Sequence, residues 1–115
     1  MINQVILVGR IVEEPTIKEV NNKKVSNITL AVQRPYKNND GIYETDFIDC
    51  SLWNATAETT AEYCKKGDLV GIKGNLQTSI SNNGIKNFNV NVDRITFLAS
   101  KKKTDDIEQE KDIKI

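Results

Sequence analysis

The residues whose types and spacing could do chemistry lie in one octapeptide, residues 46–53 (DFIDCSLW). Successive side chains of a β-strand point to opposite faces, so Phe47 and Trp53 would share one face while Cys50 and Leu52 share the other. Six residues at a rise of about 3.3 Å separate the two aromatic side chains by about 20 Å. Large rings on a polar strand face can stack on flat ligands such as unpaired nucleobases.

Residues around this stretch extend the same chemistry. Tyr36 ends the preceding strand-like run, and Lys65 and Lys66 follow downstream. Single-stranded nucleic acid needs aromatic faces for its bases and positive charge for its phosphates, and both residue types occur in this part of the chain. Each ring could instead be a core residue, and the two lysines could simply neutralise the C-terminal end of a helix, worth about 0.3 to 1 kcal/mol.

Composition places the chain among single-domain proteins with an uneven charge distribution. It has 115 residues, with 16 Lys and Arg balanced by 16 Asp and Glu. Residues 1–103 carry a surplus of three positive charges, and residues 104–115 a surplus of three negative charges. A mildly cationic body is compatible with a nucleic-acid partner, although a strongly basic domain would be a clearer indication.

The sequence lacks the residues that several classes of protein function usually require. The chain has no histidine, which removes the commonest general base and metal ligand, and its two cysteines cannot form a structural zinc site. No Gly-rich phosphate loop or nucleophile elbow is present, so we expect no enzyme activity, cofactor or metal. With no signal peptide and no apolar run long enough to span a bilayer, we predict a cytoplasmic protein, without membrane contact, whose Cys50 and Cys64 are reduced core residues.

The hydrophobic pattern predicts mostly strands. Continuous apolar character over residues 2–12 predicts a strand buried on both faces, by the rest of the fold or by a second subunit. Weak alternation over 16–20 and clear alternation over 25–33 predict two more strands, followed by a polar loop over 37–44. The central strand at 46–53 precedes a helix over 56–66, which ends before Gly67.

Two strands complete the pattern, at residues 69–77 and from Phe88 to Phe97, with a polar hairpin loop over 78–86 between them. Phe88, Val90 and Val92 alternate, but Ile95 and Phe97 continue out of phase, so we predict that a bulge near residues 93–94 restores the core register. This order favours an all-β fold with one helix, a five-stranded antiparallel Greek-key barrel of the oligonucleotide-binding (OB) type, over residues 1–100. Residues 101–115 are mostly charged and predict a disordered tail.

Five sequence blocks resemble the bacterial single-stranded DNA-binding protein family in order and spacing. They are residues 3–10 (NQVILVGR), 27–32 (NITLAV), 46–50 (DFIDC), 61–67 (AEYCKKG) and 74–78 (GNLQT). The resemblance covers residues 1 to about 98. It implies an OB fold, usually a homotetramer, that coats and protects single-stranded DNA without sequence preference during replication, recombination and repair, in the cytoplasm at the nucleoid.

The resemblance also implies which residues bind DNA. Matched by position, the aromatic residues on which bases would stack are Tyr36, Phe47, Trp53 and, less directly, Phe88. The cations that would follow the path of the DNA strand are Arg10, Arg34, Lys37, Lys65 and Lys66.

Three features depart from the family pattern. Residues 79–81 (SIS) lack the aromatic and basic residues common there, and Asp49 puts a negative charge on the proposed binding face. The tail is short and has no terminal Pro-Phe, although Asp105, Asp106, Ile107 and Glu108 form an acidic stretch that would recruit replication and repair proteins. An alternative function is a barrel that serves as a protein-binding adaptor with residual nucleic-acid affinity, and the sequence does not decide between tetramer and dimer.

Overall fold

The computed structural model describes residues 1–100 of the chain. The elements, in order, are β1 (Val5–Ile11), β2 (Lys18–Val20), β3 (Lys23–Lys37), β4 (Tyr43–Trp53), α1 (Asn54–Tyr63), β5 (Leu69–Ile80) and β6 (Lys86–Ala99). Within these residues no helix has the length and apolar character that crossing a bilayer requires.

Five strands close into a barrel. The strand order is β1-β5-β6-β4-β3, and a further pairing of β1 with β3 closes the circle, while the short β2 extends β3 at the rim. The predicted OB-type barrel with one helix is therefore confirmed. One pairing departs from the expected antiparallel pattern: β4 and β6 run parallel, through only Cys50 with Val90 and Ser51 with Asn91.

The barrel interior is filled by the alternating apolar residues that the sequence pattern predicts. Its largest buried members come from every barrel strand: Ile11, Leu30, Leu52, Val70 and Val90 are each 2% exposed or less. Cys50 and Cys64 are both free and buried, as predicted. Burial raises the pKa of the Cys50 thiol to about 12 and also raises that of Cys64, so both thiols stay protonated at neutral pH.

A bulge in β6 returns Ile95 to the core face, as the sequence predicts, whereas Phe97, which is expected to follow it, is 46% exposed. Lys73 pairs with Arg94 while the next residue, Gly74, pairs with Val92, so Asp93 is the extra residue. At this point β5 and β6 approach so closely that a Cβ atom on Gly74 would lie 2.1 Å from the Asn91 carbonyl oxygen. Only glycine fits there without moving the backbone of β6.

Within residues 1–100 the rest of the fold does not bury both faces of β1, so of the two expected coverings only a second subunit stays a prediction. Ile6 and Val8 are 70% and 53% exposed on its outer face. Strand β1 pairs with β5 along its length, but with β3 only at Arg10 and Ile11. The first half of β1 therefore has an apolar outer face and a backbone edge without a strand neighbour among residues 1–100.

Strands β3, β5 and β6 are longer than predicted, because strand pairing continues beyond the residues whose hydrophobic pattern indicates a strand. Strand β3 continues to Lys37, which pairs with Tyr43 beyond a bulge. Pro35 lies inside that bulge, so its missing N–H interrupts no regular ladder. Similarly, β5 and β6 pair as far as Ile80 with Lys86, and the predicted hairpin loop shortens to residues 81–85.

Helix α1 begins and ends earlier than predicted. It ends at Tyr63, so Lys65 and Lys66 lie in the following turn, and its last turn holds no basic residue. The Asp68 carboxylate (Oδ2) accepts the Lys65 backbone N–H at 2.8 Å, which helps to hold that turn. The two lysines therefore lie just beyond the helix end rather than within its last turn, where the sequence predicts them.

Candidate nucleic-acid interface

A cleft opens where β4 and β6 separate. Because the two strands pair only at Cys50 and Ser51 on the β4 side, the residues that precede these positions diverge from β6. The resulting cleft has a volume of about 190 Å³. Phe47 lines it from β4 and Phe88 lines it from β6, with Ile48 and Val90 at its base.

Both cleft phenylalanines are accessible to a ligand. Phe47 is 66% exposed and Phe88 is 60% exposed. Phe88 has the same strand phase as the buried Val90, but it pairs with Thr78 in the part of the β5–β6 hairpin that extends past the barrel. A core position for either ring, the alternative left open by the sequence, is thereby excluded.

Tyr36 and Trp53 lie outside this cleft, one towards each end of the β3–β4 hairpin. Phe47 pairs with Ala31, five residues before Tyr36, and Trp53 follows Phe47 by six residues. At about 3.3 Å per residue these intervals span about 16 Å and 20 Å. Both rings are exposed, so the four predicted aromatics occupy three separate positions along a strand path rather than one pocket.

Arg10 lies across the sheet from the cleft. It pairs with Ala31, which in turn pairs with Phe47, so the three residues form one row across neighbouring strands. At about 4.8 Å per strand, the Arg10 backbone is about 10 Å from that of Phe47. Arg10 and Ala31 also line a depression of about 360 Å³ beside this row.

The Arg10 side chain connects this depression to the turn after α1. Its Nη1 donates to the Gly67 carbonyl oxygen at 2.9 Å. The neighbouring Lys65 and Lys66 are exposed in the same turn. These three predicted cations therefore lie along one margin of the barrel.

The Arg34 guanidinium is already hydrogen-bonded to two carboxylates. Its Nη2 donates to Asp46 Oδ1 at 2.9 Å and its Nε to Asp46 Oδ2 at 3.1 Å. Its Nη1 donates to Glu44 Oε2 at 3.0 Å. The hydrogen bond from Arg34 lowers the pKa of Asp46, and Asp46 raises that of Arg34, so both groups are held in their charged forms. Phosphate would have to compete with two carboxylates for this guanidinium.

Lys37 and Tyr43 form a cation–π pair that the sequence analysis did not identify. The Lys37 Nζ lies 5.6 Å from the centroid of the Tyr43 ring. The two residues face each other beyond the β3 bulge, and the sequence places them on either side of a polar loop without showing the pairing. Tyr43 therefore adds an exposed ring at the Tyr36 end of the interface.

A polar network lies between the cleft and the Trp53 end of β4. Asn89 Nδ2 donates to Ser51 Oγ at 2.9 Å, and the Ser51 hydroxyl donates to Asn27 Oδ1 at 2.9 Å. Beside it, the Thr29 hydroxyl donates to Asp49 Oδ1 at 3.2 Å. Sequence reasoning missed Asn89, because nothing in the sequence places β6 next to β4.

The acidic residues Asp105, Asp106, Ile107 and Glu108 belong to residues 101–115, which lie outside the described part of the chain.

The closed five-stranded barrel, with its strand order and the single helix between β4 and β5, defines an OB-fold protein, and exposed aromatics lie on β3, β4 and β6. The Single-strand binding protein family matches residues 2–107, and the chain belongs to this family. It is 48% identical over 79 residues to Single-stranded DNA-binding protein B of Bacillus subtilis (strain 168), covering 68% of this chain and 70% of that protein.

Other relatives show a similar likeness over a smaller share of their length. The chain is 47% identical over 85 residues to the Single-stranded DNA-binding protein of Halalkalibacterium halodurans, covering 72% of this chain and 51% of that protein. It is 46% identical over 79 residues to Single-stranded DNA-binding protein 1 of Lactococcus lactis subsp. lactis (strain IL1403), covering 68% of this chain and 53% of that protein. The matched region is thus about half of these two relatives.

The Arg34–Asp46 pair predicts a pH-dependent contribution to stability. The folded-state pKa of Asp46 is lower than its ordinary value, so the contribution is fully present above about pH 4 and is lost as pH falls through the lowered folded value. We expect Asp46→Asn to lower the urea midpoint at neutral pH and to match the wild type in strong acid. Urea denaturation at a series of pH values measures this.

Asp40→Asn is the matched control, since Asp40 lies in the neighbouring loop and makes no ion pair among residues 1–100. A difference between wild type and Asp46→Asn that stays constant down to strong acid would contradict the prediction.

Proposed function

We propose that this chain binds single-stranded DNA without catalysing a reaction, and protects it during replication, recombination and repair in the cytoplasm, at the nucleoid. The observation that carries the proposal is the pair of exposed phenylalanines on facing walls of the β4–β6 cleft. Membership of the Single-strand binding protein family and the names of the relatives support the same ligand.

Base stacking supplies most of the affinity in this proposal. A base stacked on an aromatic side chain contributes about 1 to 3 kcal/mol, whatever its identity. Tyr36, Phe47, Trp53 and Phe88 provide the stacking surfaces, and the spacing of these rings suits an extended strand. Duplex DNA binds poorly because its bases are already stacked on each other.

Phosphate contacts supply the remainder. Arg10, Lys65 and Lys66 lie along one margin of the barrel, so they are placed to neutralise phosphates of the same bound strand. Lys37 contributes at the Tyr36 end, and Arg34 contributes only if phosphate displaces a carboxylate. Each neutralised phosphate steepens the dependence of log affinity on log salt by about 0.7.

We also propose that the chain forms a homotetramer in which β1 takes part. Ile6 and Val8 form an apolar outer face, and the first half of β1 has an open backbone edge among the described residues. A second copy could both continue the sheet at this edge and cover the apolar face. This surface does not include the cleft residues Phe47 and Phe88, but Val8 also lines the depression that contains Arg10, so the proposed subunit interface adjoins the proposed phosphate path there.

We expect oligo(dT) to quench Trp53 fluorescence, with less quenching at higher salt and none by duplex DNA. Phe47→Ala and Phe88→Ala should each weaken binding by about 5- to 150-fold, because each removes a stacking surface worth about 1 to 3 kcal/mol. Titration at two salt concentrations measures both effects.

Tyr63→Ala is the control, since Tyr63 is 66% exposed at the end of α1, outside the cleft. A folded protein that binds no oligo(dT) would contradict the proposal and favour the protein-binding adaptor.

Val8→Asp should reduce the molar mass in solution from that of a tetramer to that of a dimer or monomer. The substitution places like charges at an interface that would otherwise be apolar. Sedimentation equilibrium measures the mass, and Ile42→Asp, in the loop between β3 and β4, is the control. A monomeric wild type, or a Val8→Asp protein of unchanged mass, would show that β1 is not the interface.

We propose that the acidic stretch at Asp105, Asp106, Ile107 and Glu108 recruits replication and repair proteins. Its negative charge suits a basic surface on a partner. Removing residues 104–115 should reduce capture of such partners in a pull-down while leaving oligo(dT) affinity within the range of the full chain. Equal capture by the full and shortened chains would refute this role.

A further inference from the structure

Asp49 occupies an unusual place for an acidic residue in an interface proposed to bind DNA. It lines the cleft that contains Phe47 and Phe88, and it also lines an adjoining depression of about 380 Å³ with Glu13 and Asn27. The residues that line these two concavities include no lysine or arginine. A phosphate placed here would meet negative charge without a compensating cation.

The Asp49 carboxylate can accept a further hydrogen bond. The Thr29 hydroxyl donates to Oδ1, whereas Oδ2 has no hydrogen-bond partner within residues 1–100. None of the ion pairs formed within residues 1–100 includes Asp49. A charged oxygen in this position forms its best hydrogen bond with an N–H donor of a ligand, and such bonds are stronger than those between neutral groups.

The surrounding residues limit which part of a nucleotide can reach this oxygen. Asp49 follows Phe47 by two residues on the same face of β4, a separation of about 7 Å. Arg10 lies in the same cross-strand row as Phe47, two strands away, with Lys65 and Lys66 beyond it. A base stacked on Phe47 therefore has Asp49 within reach of its polar edge, while its phosphates can lie towards these cations.

Bases differ at that edge in the groups they offer to a carboxylate. Cytosine carries an exocyclic amino group at N4, and aspartate or glutamate is its usual acidic acceptor in proteins. Thymine and uracil carry a carbonyl oxygen at the same ring position, which a carboxylate repels. Stacking alone does not distinguish these pyrimidines strongly, because each presents a similar aromatic face.

Resting on the proposed function, we propose that Asp49 is a specificity-determining residue: it gives the Phe47–Phe88 cleft a preference for cytosine over thymine and uracil. The chain then binds single strands of any sequence through its aromatic side chains, but one base position per barrel reads the exocyclic amino group. Asp49 thereby contributes base recognition where a cation would contribute phosphate binding.

The test compares oligo(dC) with oligo(dU) of equal length, because cytosine and uracil differ in the group at ring position 4 and neither carries the thymine methyl group. Fluorescence anisotropy of end-labelled strands, in mildly alkaline buffer where cytosine is unprotonated, gives both affinities. In the wild type we expect oligo(dC) to bind about tenfold more tightly than oligo(dU), the effect of one hydrogen bond to a charged group. Asp49→Asn should bring this ratio close to one, since the amide accepts from cytosine and donates to uracil.

Glu13→Gln is the matched control. Glu13 lines the adjoining depression but not the phenylalanine cleft, so its neutralisation should strengthen binding of both oligonucleotides equally and leave their ratio unchanged. Asparagine at position 49 can still accept from Thr29, so the local strand pairing is retained. If Asp49→Asn fails to fold, wild-type binding to oligo(dC) methylated twice at N4, which has no N–H to donate, gives an independent reading and should fall to the oligo(dU) level.

Three outcomes are distinct. A ratio near one in the wild type, or a ratio that Asp49→Asn does not change, overturns the role of Asp49 while binding itself supports the proposed function. Equal changes of the ratio in Asp49→Asn and Glu13→Gln overturn it in favour of a general charge effect. No binding of either oligonucleotide by the folded wild type overturns the inference together with the proposed function.

Discussion

The short parallel contact between β4 and β6 is the constraint on which the rest of the interface depends. It joins the two strands at only two residue pairs, enough to close the barrel but not to hold the strands together along their length. The core continues through this contact, because Cys50 and Val90 are both buried. Where the strands diverge, the sheet opens and exposes Phe47 and Phe88 on facing sides.

Close packing of β5 against β6 fixes the direction in which β6 leaves the barrel. Gly74 admits the Asn91 carbonyl oxygen where any other side chain would collide with it, and the extra residue Asp93 shifts the register beside it. The hairpin beyond this point extends away from the core and carries Phe88. Phe88 therefore alternates in phase with the buried core residues of β6 but is exposed to ligands.

Charge is arranged around the interface rather than spread over it. Arg34 is neutralised by Asp46 and Glu44, and Lys37 lies against the Tyr43 ring. The cleft itself contains a carboxylate, while Arg10 and the lysines of the turn after α1 lie to one side. This arrangement favours a ligand whose flat, uncharged groups enter the cleft and whose charged backbone stays at the margin. Single-stranded nucleic acid has this form, because its bases are free to turn away from the phosphates.

The sequence by itself determined the barrel, its single helix, the faces of β3 and β4 and the bulge in β6. These features follow from local periodicity: residues two apart share a strand face, and a break in phase requires an extra residue. The exposed positions of Phe47 and Trp53 follow from the same rule. Family resemblance added the remaining candidate residues, but it could not show how they are arranged.

Only the tertiary structure decided which of these residues meet. The cleft between Phe47 and Phe88 depends on the pairing of residues 40 positions apart in β4 and β6, and the Arg34–Asp46 ion pair depends on a hairpin register altered by a bulge. The exposed half of β1 likewise depends on where β3 stops pairing with it. Such contacts join residues distant in sequence, and strand periodicity specifies which face a side chain occupies but not which strand lies beside it.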